Sequence, residues 1–194
     1  RHAATSDIRR GRSNTRGHTR MSDICSFLQW DTDFFGCRIG RVNASRLDAD
    51  TQATIDAWAA DNAIDCLYFL ADADHIPTIQ LADQHGYHFR DLRVTYEIKH
   101  SVQIQQHDQR PVTYRLARPA DFDALKQTAR LAHVHSRFFA DPNFGDERCA
   151  DLYETWLRKS LQEDYAAVAY VAELEGRPVG YMTGSLNHVE SYGQ

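Results

Sequence analysis

The chain has 194 residues, 42% hydrophobic and 25% charged, values ordinary for a globular protein of one good-sized domain or two small ones. No apolar run approaches the roughly 20 residues that a membrane-spanning helix needs, so an integral membrane protein of that kind is excluded. The net charge of −5 is uneven: residues 1–20 hold six Arg and one acid, and the remainder carries −10 from 16 basic and 26 acidic side chains, a body that repels the phosphates of nucleic acid.

Residues 1–20 have almost no large apolar side chains and cannot bury enough surface to become ordered. A basic nucleic-acid arm and a transit peptide are two readings of this leader. The third, favoured because Ile8 is its only large apolar residue and Met21 follows it, is sequence upstream of the true start or a remnant. From Phe27 the character changes. Phe27, Trp30, Phe34, Phe35, Ile39 and Val42 predict a strand, a turn at 31–33 and a second strand, with Gly36 and Gly40 as strand glycines at a bulge. Asp48–Asn62 then predicts a helix carrying Ile55, Trp58 and Ala59, with Asp48 or Asp50 as N-cap. A short buried strand follows at Cys66–Leu70, and a helix at Ile76–His85 closed by Gly86. A long alternating strand is expected at Phe89–Ile98. Together these make a small α/β layer unit ending near His100.

Residues 101–111 are polar and glutamine-rich and predict a linker. A second unit, 112–194, opens with the strand VTYRLA. Asp121 is the expected N-cap of a helix that reaches about His133 and lines one face with Leu125, Thr128, Ala129 and Ala132. Beyond it lies the least ordinary stretch, HVHSRFFADPNFGDERCADLYETWLRKSL, from His133 to Leu161. Asp141-Pro142-Asn143 is a turn signal, and Leu152, Tyr153, Trp156, Leu157 and Leu161 recur at helical spacing. An aromatic, charged loop between two amphipathic helices suits a polar, ring-shaped ligand; the same spacing also suits a helix connection whose aromatics plug the core. Strands at Ala166–Leu174 and Val179–Leu186, joined by Glu175-Gly176-Arg177-Pro178, predict a hairpin. Its last strand has no neighbour in the sequence, so a missing C-terminal piece is expected, and an unpaired edge invites association into a homo-oligomer.

Four cysteines, Cys25, Cys37, Cys66 and Cys149, are scattered without a CxxC pair, which points to free thiols in a reducing cytoplasm, with Cys149 a structural thiol. His133 and His135 lack a third ligand at suitable spacing, so no metal is expected.

The second unit resembles the opening half of the GNAT superfamily of N-acetyltransferases: VTYRLARPADFDALKQTA looks like that family's first strand and helix, and YVAELEGRPVGYMTGSL like its hairpin. WDTDFFG and SRFFADPNF…YETWLRKSL together resemble the bacterial dTDP-fucosamine acetyltransferase group, and the stretch from Cys66 to Ile98, with LADQHGYHF, looks like the closing half of the same fold. The resemblance implies an α/β (α+β) fold, with a mixed, mainly antiparallel sheet flanked by helices after a small βαβαβ unit. It implies acetyl transfer from acetyl-CoA to a small-molecule amine, a nucleotide-linked amino sugar. The family's pyrophosphate turn and its catalytic residues are expected beyond Gln194, so no cofactor-binding or catalytic residue is assigned, and the chain as it stands is expected to be inactive. Ser136, Arg137, Phe138, Phe139, Asp141, Tyr153 and Trp156 are the expected acceptor-binding residues. Arg137 has two roles open to it, a phosphate partner or an ion pair with Asp141. Tyr153 and Trp156 suit either core or ligand. The rival to an enzyme is a non-catalytic binding or assembly module that has lost the cofactor half.

Overall fold

The computed structural model describes residues 24–94, 111–163, 166 and 168–184. The chain divides into two compact units, residues 1–87 and 88–194. Both are of the mixed α and β class, with five helices and two small, mostly antiparallel sheets among the described residues. The expected linker lies almost wholly outside the described residues.

In the first unit the order is β1 (Cys25–Phe27), α1 (Gln29–Phe35), β2 (Ile39–Val42), α2 (Ala49–Asp61), β3 (Cys66–Phe69) and α3 (Ile76–Gln84). Strand β2 is central, antiparallel to β1 and parallel to β3. Asp48 caps α2 through a 2.8 Å bond accepted from the Thr51 backbone N–H, which satisfies one of the orphan amides of the first turn. Gln52, Ile55 and Trp58 follow at helical spacing and are the buried face. Trp58 lies over Gly40: a Cβ at that position would stand 2.7 Å from the indole ring, so glycine is what lets helix and strand close. On α3 the buried residues are Thr78 and Ala82, while Ile76 and Ile79 face outward. The Thr78 hydroxyl accepts a 2.8 Å bond from the Leu47 N–H, which is why a polar residue holds a core position.

Two expectations fail here. Residues 29–35 form a helix where a turn and strand were predicted, and Gly36 is its C-cap, in the left-handed region at φ 75°, not a strand glycine. Trp30 and Phe34, four apart, stack at 5.2 Å along that helix. Of the strand expected at Phe89–Ile98, the described part is not formed: residues 89–94 are in no strand and Phe89, Leu92 and Val94 are exposed. Residues 95–98 lie outside the described residues. Among the described residues the unit therefore runs β-α-β-α-β-α, with a helix between the first two strands that was not expected.

The second unit holds β4 (Val112–Leu116), a 3₁₀ turn at Pro119–Asp121, α4 (Phe122–Ala132), α5 (Asp146–Gln162), β5 (Val168–Leu174) and β6 (Arg177–Gly184). The three strands form one antiparallel sheet with β5 in the middle. Glu175 and Gly176 make the hairpin turn, both with positive φ (51° and 75°), the conformation that matches the twist of the flanking strands. Val171 on β5 is fully buried, as are Leu125 and Ala129 on α4 and Cys149 and Leu152 on α5. Tyr114, Leu116, Tyr170 and Met182 share the opposite sheet face in register and are exposed.

Asp121 stands at the head of α4, yet its carboxylate does not cap that helix. It takes both Arg115 amino groups at 2.7 Å and the Arg118 N–H at 2.7 Å, and this bidentate pairing with Arg115 holds its carboxyl below the usual carboxylate range. Arg115 also reaches Glu173 on β5 at 2.7 Å, so one guanidinium ties β4, the turn and β5 together. Burial pushes the Cys25 thiol up to about 11 and raises that of Cys149 as well, so neither is a reactive thiolate at neutral pH.

Candidate functional site

Helices α4 and α5 are held side by side at one point by charge. Arg130 on α4, largely shielded from solvent, reaches Asp151 at 2.7 Å and Glu154 at 2.8 Å, and also pairs with Glu147, all three on α5. Just beyond Arg130, α4 ends, and His133 occupies its C-cap position. There the helices and β6 enclose a cleft of about 530 Å³.

Four rings shape the cleft: His133 from α4, Tyr153 and Trp156 from α5, and Tyr181 from β6. The His133 ring lies flat against Tyr153, centroids 4.1 Å apart and planes 16° from parallel. Its Nε2 is 3.4 Å from the Tyr181 hydroxyl, a long contact by hydrogen-bond standards. Trp156 meets Tyr153 edge-on at 5.4 Å. Thr128, Ser160 and Thr183 add hydroxyls to the wall, and none of the lining side chains carries a fixed charge. Burial alone holds His133 below its ordinary value and so favours neutral imidazole. Burial also raises Tyr153, against the opposing pull of the Ser136 hydroxyl and the Arg137 charge, and raises Tyr181, with a smaller push from Tyr153. At neutral pH the cleft is an uncharged, mostly apolar surface with rings and a few hydroxyls.

The residues expected from sequence fall into three groups. Tyr153 and Trp156 line the cleft. Ser136 and Phe139 stand behind it: the Ser136 hydroxyl is buried near Tyr153, and Phe139 lies parallel to the Tyr153 ring at 6.4 Å. The other three belong to the loop's own architecture. Phe138 is only 2% exposed and packs edge-on against Trp156 and Tyr153, which makes it a core residue beneath the site. The Arg137 guanidinium sits 4.4 Å over the Phe138 ring, and its backbone N–H donates to Asp91. The Asp141 carboxylate pairs with Arg90 at 3.5 Å and accepts two bonds from Asn143, so its ion-pair partner is Arg90. The sequence does not single out Tyr181 or the three hydroxyls, because nothing local to them signals a cleft, and it offers His133 only as a metal ligand without enough partners. The one signal available was His133 itself, a histidine ending an amphipathic helix.

Among the described residues no group of three or more His, Cys, Asp or Glu is arranged to hold a metal ion, and no helix is long and apolar enough to cross a membrane. No protein-family model matches the chain. Over 80 residues it is 31% identical to a spore coat polysaccharide biosynthesis protein, SpsD, of Bacillus subtilis (strain 168). That stretch is 40% of this chain and 27% of the relative, so the similarity spans about a quarter of that protein's length.

Proposed function

We propose that this chain carries the acceptor-binding part of a sugar-modifying transferase, and that the group transferred is acetyl, from acetyl-CoA to the amine of a nucleotide-linked amino sugar. The observation that carries this is the cleft: stacked and edge-on rings with three neutral hydroxyls and no fixed charge suit a sugar, whose apolar ring faces pack on aromatics while its hydroxyls exchange hydrogen bonds. The similarity to a polysaccharide biosynthesis protein supports the sugar, and the GNAT-like strand, helix and hairpin phrases support acyl transfer. Acetyl transfer needs a nitrogen positioned against a thioester, and in this reading the cleft holds the nitrogen's side of that geometry.

The test is calorimetric titration with dTDP-fucosamine, followed by addition of acetyl-CoA and measurement of released thiol. The sugar nucleotide is expected to bind the wild-type chain and to bind Trp156→Ala at least about tenfold more weakly, since the variant loses one wall of the cleft. Thiol release in step with product formation by the protein identifies the reaction. Sugar-nucleotide binding without transfer by that protein identifies a binding module, and the enzyme reading falls. Equal affinity of wild type and variant removes the cleft from the proposal.

A further inference from the structure

His133 faces Tyr153 from α5 and Tyr181 from β6, and no lining side chain of the cleft carries a fixed charge. Arg130, one turn earlier on α4, is committed to Glu147, Asp151 and Glu154. An ammonium entering such a cleft finds no carboxylate, and stripping water from an unpaired cation is strongly unfavourable. An amine therefore enters as the free base, with two N–H donors and a lone pair. The phenols and hydroxyls of the wall hold their protons tightly, so the basic lone pair available to an N–H is on the imidazole.

Resting on the reading of the cleft as an amine acceptor site, we propose that His133 accepts the amine N–H at Nε2, selects the free base, and takes the proton during transfer. The nitrogen lone pair attacks the acyl carbon of the thioester and the N–C bond forms. The N–H proton moves to Nε2, the C–S bond breaks, and the thiolate departs. The imidazolium then gives its proton up to the thiolate or to water, which restores the neutral ring. Two features of the fold serve this cycle. Burial keeps the resting ring neutral and able to accept. The C-terminus of α4, the end at which a helix dipole favours a cation, steadies the transient imidazolium. The Tyr181 hydroxyl, 3.4 Å away, makes only a long contact with Nε2, one that the amine N–H displaces.

The experiment uses the full chain labelled with ¹⁵N-histidine and long-range ¹H–¹⁵N spectra. His133 is assigned with His133→Phe, or with Tyr181→Phe should the first variant fail to fold. Titrants are dTDP-fucosamine and its hydroxyl counterpart dTDP-fucose, with affinities measured at pH 6 and pH 7. For an amine near the α-amino range of about 8, the free-base fraction rises about tenfold over that interval. The expected result is a hydrogen-bond shift at His133 Nε2 with the ring still neutral. The Kd for dTDP-fucosamine tightens about tenfold from pH 6 to pH 7, and that for dTDP-fucose does not. Binding of dTDP-fucosamine that moves the Trp156 indole but not Nε2, or that is equally tight at both pH values, overturns the role of His133 and leaves the acceptor site standing. Failure of both sugar nucleotides to bind overturns the acceptor site and this inference together.

Discussion

Arg130→Met tests whether charge holds the two walls of the cleft together. Methionine keeps most of the apolar stem and has nearly the same helix propensity as arginine, so the substitution removes mainly the cation. Arg130 is 17% exposed at the side chain, whereas its partners Asp151, Glu154 and Glu147 are 39%, 33% and 85% exposed. A fully buried pair broken on one side would lose about 3–5 kcal/mol, but carboxylates this open to water lie much nearer the range of about 0.2–1 kcal/mol per surface pair. Three such contacts converge on one guanidinium. Their loss also leaves three like charges on successive turns of α5, with mutual repulsion of a few tenths of a kcal/mol. The expected destabilisation is about 2 kcal/mol, or a roughly thirtyfold loss of amide-exchange protection in α4 and α5, with α2 of the first unit as internal control. Mass-resolved hydrogen exchange reads both. Adding 1 M salt should narrow the gap between variant and wild type, because most of this charge is within reach of screening ions. A loss of less than about twofold, or one indifferent to salt, would show that packing and not charge joins the helices.

Two further predictions concern the scaffold. Asp121→Asn should lower stability at pH 7 by about 1–3 kcal/mol, the loss associated with charge-assisted hydrogen bonds to a buried carboxylate. Because the folded-state value of Asp121 is depressed, its contribution is present above about pH 4 and fades as pH falls through that lower value. Denaturant titrations of wild type and variant should therefore converge toward pH 2, and a constant gap would rule out the ionised carboxylate as the cause. Gly40→Ala places a methyl carbon 2.7 and 2.9 Å from two Trp58 ring atoms, and is expected to destabilise by about 1–3 kcal/mol with a changed Trp58 near-ultraviolet signal. A neutral result with an unchanged spectrum would mean that α2 and β2 do not pack this closely.

Short-range chemistry was legible where one rule dominated. Asp48 before an apolar-spaced run marked α2, and Leu152, Tyr153, Trp156 and Leu157 marked α5 and two of the four rings of the cleft. Gly176 within residues 175–178 marked the hairpin, although the turn itself is only Glu175-Gly176 and Arg177 and Pro178 already belong to β6. Helix α1 was not legible. Its seven residues lack a side-chain cap, and its aromatics fit a strand as well as a helix until Trp30 stacks on Phe34 and Gly36 turns left-handed.

The sequence by itself determined which segments could bury a face: the helix and strand patterns, the acidic body and the turn at 141–143. Only the tertiary structure decided which aromatics became core and which became cleft. Phe138 is sealed beneath Trp156 and Tyr153 as core, whereas Tyr153 and Trp156 themselves line the cleft. His133 and Tyr181 are 48 residues apart. They meet because β6 pairs with β5 in one register, which turns Tyr181 to the face that α4 and α5 cover. Local propensity acts over a few residues, whereas a cleft is defined by which surfaces remain uncovered once the long-range packing is complete.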